Sequence, residues 1–120
     1  MEKKAGWFEN AAMKDFPTEP LIVKEYSLNV RTHEVSKPGR EKIRLSPVQF
    51  DLLSYLMSHP DEILSPGRLL VEVWGYPENT GSHALVRMHI KKLRQKIETD
   101  PGKPSFIRTI AGYGYTVGIE

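Results

Sequence analysis

The chain has no cysteine among its 120 residues. Disulfides and thiolate metal sites are therefore excluded, and a reducing compartment is compatible but not proven. No apolar run approaches the ~20 residues that a membrane-spanning helix needs. The opening stretch MEKKAGWFENAAMKDF lacks the apolar core of a signal peptide, so a cytoplasmic protein without a membrane segment is expected. Histidine is sparse: His33, His59, His83 and His89 stand at no tight metal-ligand spacing. Neither a metal nor another cofactor is expected. Ser46 and Ser65 precede prolines at helix starts, which accounts for them without nucleophilic chemistry. The Gly112-Tyr113-Gly114 stretch is too short for a phosphate loop and opens no helix. An enzyme is thus the disfavoured class.

Acidic residues are also missing from one place. Residues 82–98 contain five Lys or Arg (Arg87, Lys91, Lys92, Arg94 and Lys96) and a single acid, Glu98. The whole chain carries a net charge of only +2, so the rest of it is slightly negative. A basic stripe on a near-neutral domain is an electrostatic footprint for a polyanion. The plainer reading, a solvated helix face, would normally mix Glu with Lys at i,i+4 spacing, and that mixing is absent before Glu98.

The length suits one domain large enough to hold together without covalent staples. Residues 1–20 show no sustained period and end in FPTEP; they read as a tail or linker, with at most one helical turn around Trp7–Met13. Residues 21–118 read as the folded unit. Tyr26, Leu28 and Val30 alternate with polar residues, as do Ile43 and Leu45 around Arg44, so three or four short antiparallel strands are expected. LSPVQFDLLSYLMSHP opens a helix with Ser46 as N-cap, Pro47 at the first position and Gln49 completing a capping box; Pro60 stops it. LSPGRLLVEVWGYP repeats the Ser-Pro start at Ser65 and ends at Gly75 and Pro77. Ser82 caps a third helix that runs to about Glu98. SFIRTIAGYGYTV holds two β-prone runs, Phe106–Ile110 and Tyr113–Val117, around a Gly-containing turn.

At 100° per residue, Val86, Ile90, Leu93 and Ile97 fall on one face of the third helix. Ala84, Met88, Lys91, Lys92 and Gln95 lie opposite, with Arg87 and Arg94 on one flank and His89 on the other. A helix with a cationic outer face, preceded by another helix and followed by a hairpin, has the layout of a winged helix-turn-helix that enters the DNA major groove. Lys and Arg suit phosphates and guanine O6/N7, and Met88 suits the thymine methyl group. The expected fold class is α+β. A winged helix serving as a protein-interaction module without DNA is the main alternative, but such a module would present apolar or mixed residues where Lys91, Lys92 and Arg94 stand.

LSPVQFDLLSYLMSHPDEILSPGRLLVEVWG, VRMHIKKLRQKIE and IRTIAGYGYTV resemble the effector domain of OmpR/PhoB-type response regulators. The resemblance covers about residues 21–118. It implies a four-stranded sheet ahead of a winged helix, sequence-specific binding to double-stranded DNA at direct-repeat half-sites, and transcriptional regulation. It also implies a receiver domain ahead of the effector domain in a longer chain, and head-to-tail pairing on DNA. The chain shows no obvious dimerisation helix, so a monomer is expected when it is free. By resemblance, Trp74, His89, Lys91, Arg94 and Thr109 stand at phosphate-contacting positions, and Arg87, Met88 and Lys92 at base-reading ones. The loop Gly75, Tyr76, Pro77, Glu78, Asn79, Thr80 and Gly81 stands where activating members meet RNA polymerase. Three positions depart from the family's habit. Arg87 replaces a common Asp, Ala84 a common Arg, and Ala111 the Arg often inserted by the wing, where Arg108 or Tyr113 could partly substitute.

Overall fold

The computed structural model describes residues 20–119. The reading of residues 1–19 as a tail with one helical turn lies outside the described residues. Four short strands, β1 (Leu21–Val23), β2 (Tyr26–Asn29), β3 (Glu34–Ser36) and β4 (Ile43–Arg44), form an antiparallel sheet in that order. Leu28 pairs with Leu21 on one side and Val35 on the other. This register puts the apolar row on one face of the pleat, where Val23, Tyr26, Leu28 and Val35 are buried.

Helix α1 (Pro47–Ser58) begins as its sequence dictates. The Ser46 hydroxyl accepts from the Gln49 N–H, the Gln49 side chain accepts from the Ser46 N–H, and Pro47 occupies the first turn. The helix is buried almost all round, from Gln49 and Phe50 through Leu52–Met57, as its wide apolar surface predicts. Helix α2 (Pro66–Glu72) starts on the Ser65 cap. Gly75, at φ +78, closes it: the Gly75 N–H donates to the Val71 carbonyl and the Tyr76 N–H to the Leu70 carbonyl.

Helix α3 (His83–Ile97) is capped by Ser82, whose hydroxyl accepts from the Ala84 N–H. Its inner stripe is the expected one: Val86, Ile90, Leu93 and Ile97 are all at most 2% exposed. The hairpin β5 (Arg108–Ile110) and β6 (Gly114–Thr116) follows. It is shorter than the sequence predicts, for two local reasons. Phe106 and Ile107 give their N–H groups to the Glu98 carboxylate rather than to a partner strand, and Tyr113 belongs to the turn, its N–H bonded to the Ile110 carbonyl.

The wing also has a third member that no periodicity announces. Leu64, just ahead of α2, exchanges both backbone hydrogen bonds with Tyr115, at 2.8 and 3.0 Å. The N-terminal sheet is tied to the end of α3 by Tyr26, whose hydroxyl donates to the Ile97 carbonyl at 2.9 Å and whose ring stacks on Phe106 at 3.9 Å.

Candidate nucleic-acid interface

With its inner stripe buried, α3 turns Ala84, Arg87, Met88, Lys91, Lys92 and Gln95 outward, all exposed. Arg87, Lys91 and Lys92 form no hydrogen bond or salt bridge with another described residue, and Met88 is 43% exposed between them. Lys96 is not part of this face. Its ammonium donates to Gln49 Oε1 at 2.9 Å and to the Arg44 carbonyl at 3.4 Å, so its charge is spent on α1 and β4. Lys96 also stands in the last turn of α3, where a cation is favoured by the helix C-terminal dipole.

Four of the five residues expected at phosphates assemble into two pairs, and the fifth, Lys91, stands alone on the outer face of α3. Trp74, half-buried in the loop after α2, sets its ring against His89 with centroids 5.4 Å apart. His89 Nδ1 is buried without a hydrogen-bond partner, so a proton there would have no acceptor and the Nε2–H tautomer is favoured. Burial, with Lys92 nearby, holds the His89 imidazole below its ordinary value.

The second pair is Arg94 and Thr109. Arg94 Nη2 donates to Thr109 Oγ1 at 2.8 Å, which leaves the threonine hydroxyl proton directed elsewhere. The same guanidinium also donates from Nε and Nη2 to the Ile107 carbonyl, at 3.0 and 2.7 Å. Arg94 is thus committed to the wing rather than swinging free, and burial lowers its guanidinium below the ordinary arginine value against the opposing pull of Glu98 and Tyr115.

Arg108, Ala111 and Tyr113 are exposed on the wing, Tyr113 at 70%. The loop from Gly75 to Gly81 joins α2 to α3. Gly81, at φ +86, lies so close beneath the Tyr76 ring that a Cβ there would overlap it, and Pro77, Glu78, Asn79 and Thr80 stand in solvent.

Sequence reasoning passes over Glu98 as the only acid near the basic run. It is 3% exposed, and its carboxylate accepts from the N–H groups of Ser105, Phe106 and Ile107. The clue available was its position: a lone acid at the end of a cationic helix, just ahead of a loop rich in unpaired donors.

A second histidine has the same titration behaviour as His89. His33 stacks flat on Phe50, with centroids 3.8 Å apart, and burial followed by Arg44 holds it below its ordinary value of 6.5. For both groups the unfolded chain binds protons more readily than the fold does. Their contribution to stability is therefore complete above pH 6.5 and is lost as pH falls through the lower folded values. The melting temperature is expected to fall between pH 7.5 and 5.5, and to fall less in a His33→Gln/His89→Gln double variant. Parallel curves for the two proteins would contradict this.

Among the described residues, no group of three or more His, Cys, Asp or Glu could hold a metal ion. No helix of the described residues is long and apolar enough to cross a membrane. A cationic helix face flanked by a hairpin, on a three-helix core behind a small sheet, defines a winged-helix nucleic-acid-binding domain.

Comparison with known proteins gives the family. Residues 39–117 match the family described as "Transcriptional regulatory protein, C terminal". The chain is 38% identical over 104 residues to the DNA-binding response regulator MtrA of Mycolicibacterium paratuberculosis, covering 87% of this chain and 45% of that one. It is 43% identical over 77 residues to the transcriptional regulatory protein YvrH of Bacillus subtilis, covering 64% of this chain and 32% of that one. The chain thus spans about half the length, or less, of these curated relatives.

Among solved structures, Thermotoga maritima DrrB, an OmpR/PhoB homologue, superposes with a TM-score of 0.70 at 28% identity, over 82% of this chain and 43% of that one. The Klebsiella pneumoniae RstA DNA-binding domain, solved in complex with the RstA box, has a TM-score of 0.71 at 24% identity, over 82% and 96%; it supports the fold alone. The chain belongs to the OmpR/PhoB-type family of transcriptional-regulator C-terminal domains, winged-helix DNA-binding domains of response regulators.

Proposed function

We propose that this domain reads double-stranded DNA by laying α3 in the major groove and the β5–β6 wing beside it, as the cytoplasmic effector of a longer regulator that carries a receiver domain. The observation that carries this reading is the outer face of α3. Arg87, Lys91 and Lys92 stand there exposed, with no acid on the helix to neutralise them. Phosphates attract such a face without regard to sequence, and base edges then select among sequences.

Lys91 acts as a point charge on a phosphate, while the Trp74 indole, His89 Nε2–H and Thr109 hydroxyl act as neutral donors. Arg94 is already bonded to the wing, at the Ile107 carbonyl and Thr109 Oγ1. Arg87, Met88 and Lys92 face base edges, and Arg108, Ala111 and Tyr113 lie along the neighbouring minor groove. The loop Gly75–Gly81 faces RNA polymerase on promoters where the regulator activates. The free domain is a monomer, and two copies occupy a direct-repeat site head to tail, one helical turn apart.

Titration of sites selected from random DNA tests this reading. Two domains should bind per site, with affinity falling steeply between low and moderate salt. Lys91→Ala should weaken binding to selected and unrelated sequences alike and reduce the slope of log affinity on log salt by about 1. A wild-type affinity that ignores salt, or an unchanged slope in Lys91→Ala, would remove the phosphate role.

A further inference from the structure

We propose that Arg94 and Glu98 are a pair of positioning residues that fix the wing against the recognition helix, so that Arg94 serves the DNA interface by holding the wing and not as a separate phosphate contact. This rests on the DNA-binding reading, which it refines. The two residues are one turn apart at the end of α3, and they grip the backbone of one residue, Ile107, through the peptide groups on either side of its Cα. The Ile107 N–H donates to Glu98 Oε2 at 2.7 Å. The Ile107 carbonyl accepts from Arg94 Nη2 at 2.7 Å and Nε at 3.0 Å.

Further bonds extend the grip in both directions. Glu98 also accepts from Ser105 at 2.9 Å and, through both oxygens, from Phe106 at 3.2 Å. Arg94 reaches on to Thr109 Oγ1 at 2.8 Å, and its guanidinium lies 5.9 Å from the centre of the Tyr115 ring on the other wing strand. Charge-assisted bonds at residues 105 to 109 thus set both where the chain leaves α3 and where β5 begins. The wing cannot slide along the helix or tilt from it without breaking several of them. An arginine used in this way is geometrically bound: the fork that could clasp a phosphate clasps a backbone carbonyl.

The sign of one substitution separates positioning from charge. Glu98 is an acid next to a cationic surface, so by charge alone Glu98→Gln should strengthen DNA binding. As a positioning residue, Glu98 loses an acceptor when it becomes Gln, and the introduced amide donors face backbone donors. Glu98→Gln is therefore expected to weaken binding to a selected site about tenfold, with little change on unrelated DNA. Arg94→Lys should behave similarly, because an ammonium cannot span the Ile107 carbonyl and Thr109 together, and Arg94→Gln should leave the salt slope unchanged. The inference is overturned if Glu98→Gln binds both DNAs more tightly, or if Arg94→Lys binds as the wild type while Arg94→Gln reduces the salt slope by about 1.

Amide hydrogen exchange on the free 120-residue chain provides a second readout that does not depend on DNA. In Glu98→Gln, which removes the acceptor of the Ile107 N–H, exchange at Ile107 should quicken while the amides of Ile90 and Leu93 keep their protection. Unchanged exchange at Ile107 would also overturn the inference. If the wild-type domain bound no DNA, the proposed function would fail while this exchange test still decided whether the pair holds the wing.

Discussion

Replacing Gly114 with alanine is expected to destabilise the domain by about 3 kcal/mol or more, the largest effect of any exposed-loop or strand substitution considered for the wing. Gly114 opens β6 at φ +155, a backbone conformation that side chains rarely adopt. A Cβ there would also overlap the Leu64 carbonyl, which is the acceptor for the Tyr115 N–H at 3.0 Å. The obstacle is backbone, so relief requires pulling Leu64 away from β6 and breaking the bridge. Gly112 provides the control. It has φ +81 at the tip of the same hairpin, but nothing lies within 4 Å of its would-be Cβ. Gly112→Ala should cost only the conformational part, about 1 kcal/mol. Urea unfolding of both variants checks the difference through the midpoints at constant slope. A Gly114→Ala protein within about 0.5 kcal/mol of the wild type would show that the bridge yields freely.

The second large effect concerns which bases the domain selects. Arg87 is exposed in the second turn of α3, where recognition helices approach base edges, and no other described residue holds its guanidinium. A bidentate grip on guanine O6 and N7 is worth about 1–3 kcal/mol of discrimination. On that basis Arg87→Ala should lose its preference at one position of the site and bind substituted sites almost equally. Arg87→Asp should select a different base there, since a carboxylate accepts from cytosine N4. A phosphate contact would behave otherwise, with affinity falling uniformly and the consensus intact. Nearby Ala84 has only a methyl group and cannot take that phosphate. Selection from random DNA with the three proteins distinguishes the two, and an unchanged consensus in Arg87→Ala would end the base-reading role.

What the sequence makes legible here is what short stretches decide for themselves. Ser46, Ser65 and Ser82 each bond backbone within two or three residues of themselves, so the helix starts can be read directly. The buried stripe of α3 follows from the 3.6-residue period alone, and with it the exposed position of Arg87, Met88, Lys91 and Lys92. The rest depends on segments that only folding brings together. Nothing around Leu64 indicates that it will pair with Tyr115, and a two-residue bridge has no periodicity. Arg94 is indistinguishable in sequence from its exposed neighbours, because what commits it is a carbonyl beyond the next loop. Glu98 reads as a stray acid until Ser105, Phe106 and Ile107 turn their donors toward it.

The pairing of Leu64 with Tyr115 has a consequence for how the protein avoids sticking to itself. A strand with an open side is a template on which another chain can extend the sheet. β6 has no open side, because β5 covers one edge and Leu64 the other. The free side of the wing belongs to β5, which is three residues long and begins with a cation, Arg108. The outer strands of the N-terminal sheet are similarly brief, three residues in β1 and two in β4. A projecting hairpin is normally an aggregation hazard. This one leaves a stranger only a short ledge carrying a positive charge, so the domain can hold out its wing at cellular concentrations without seeding β-extension between copies.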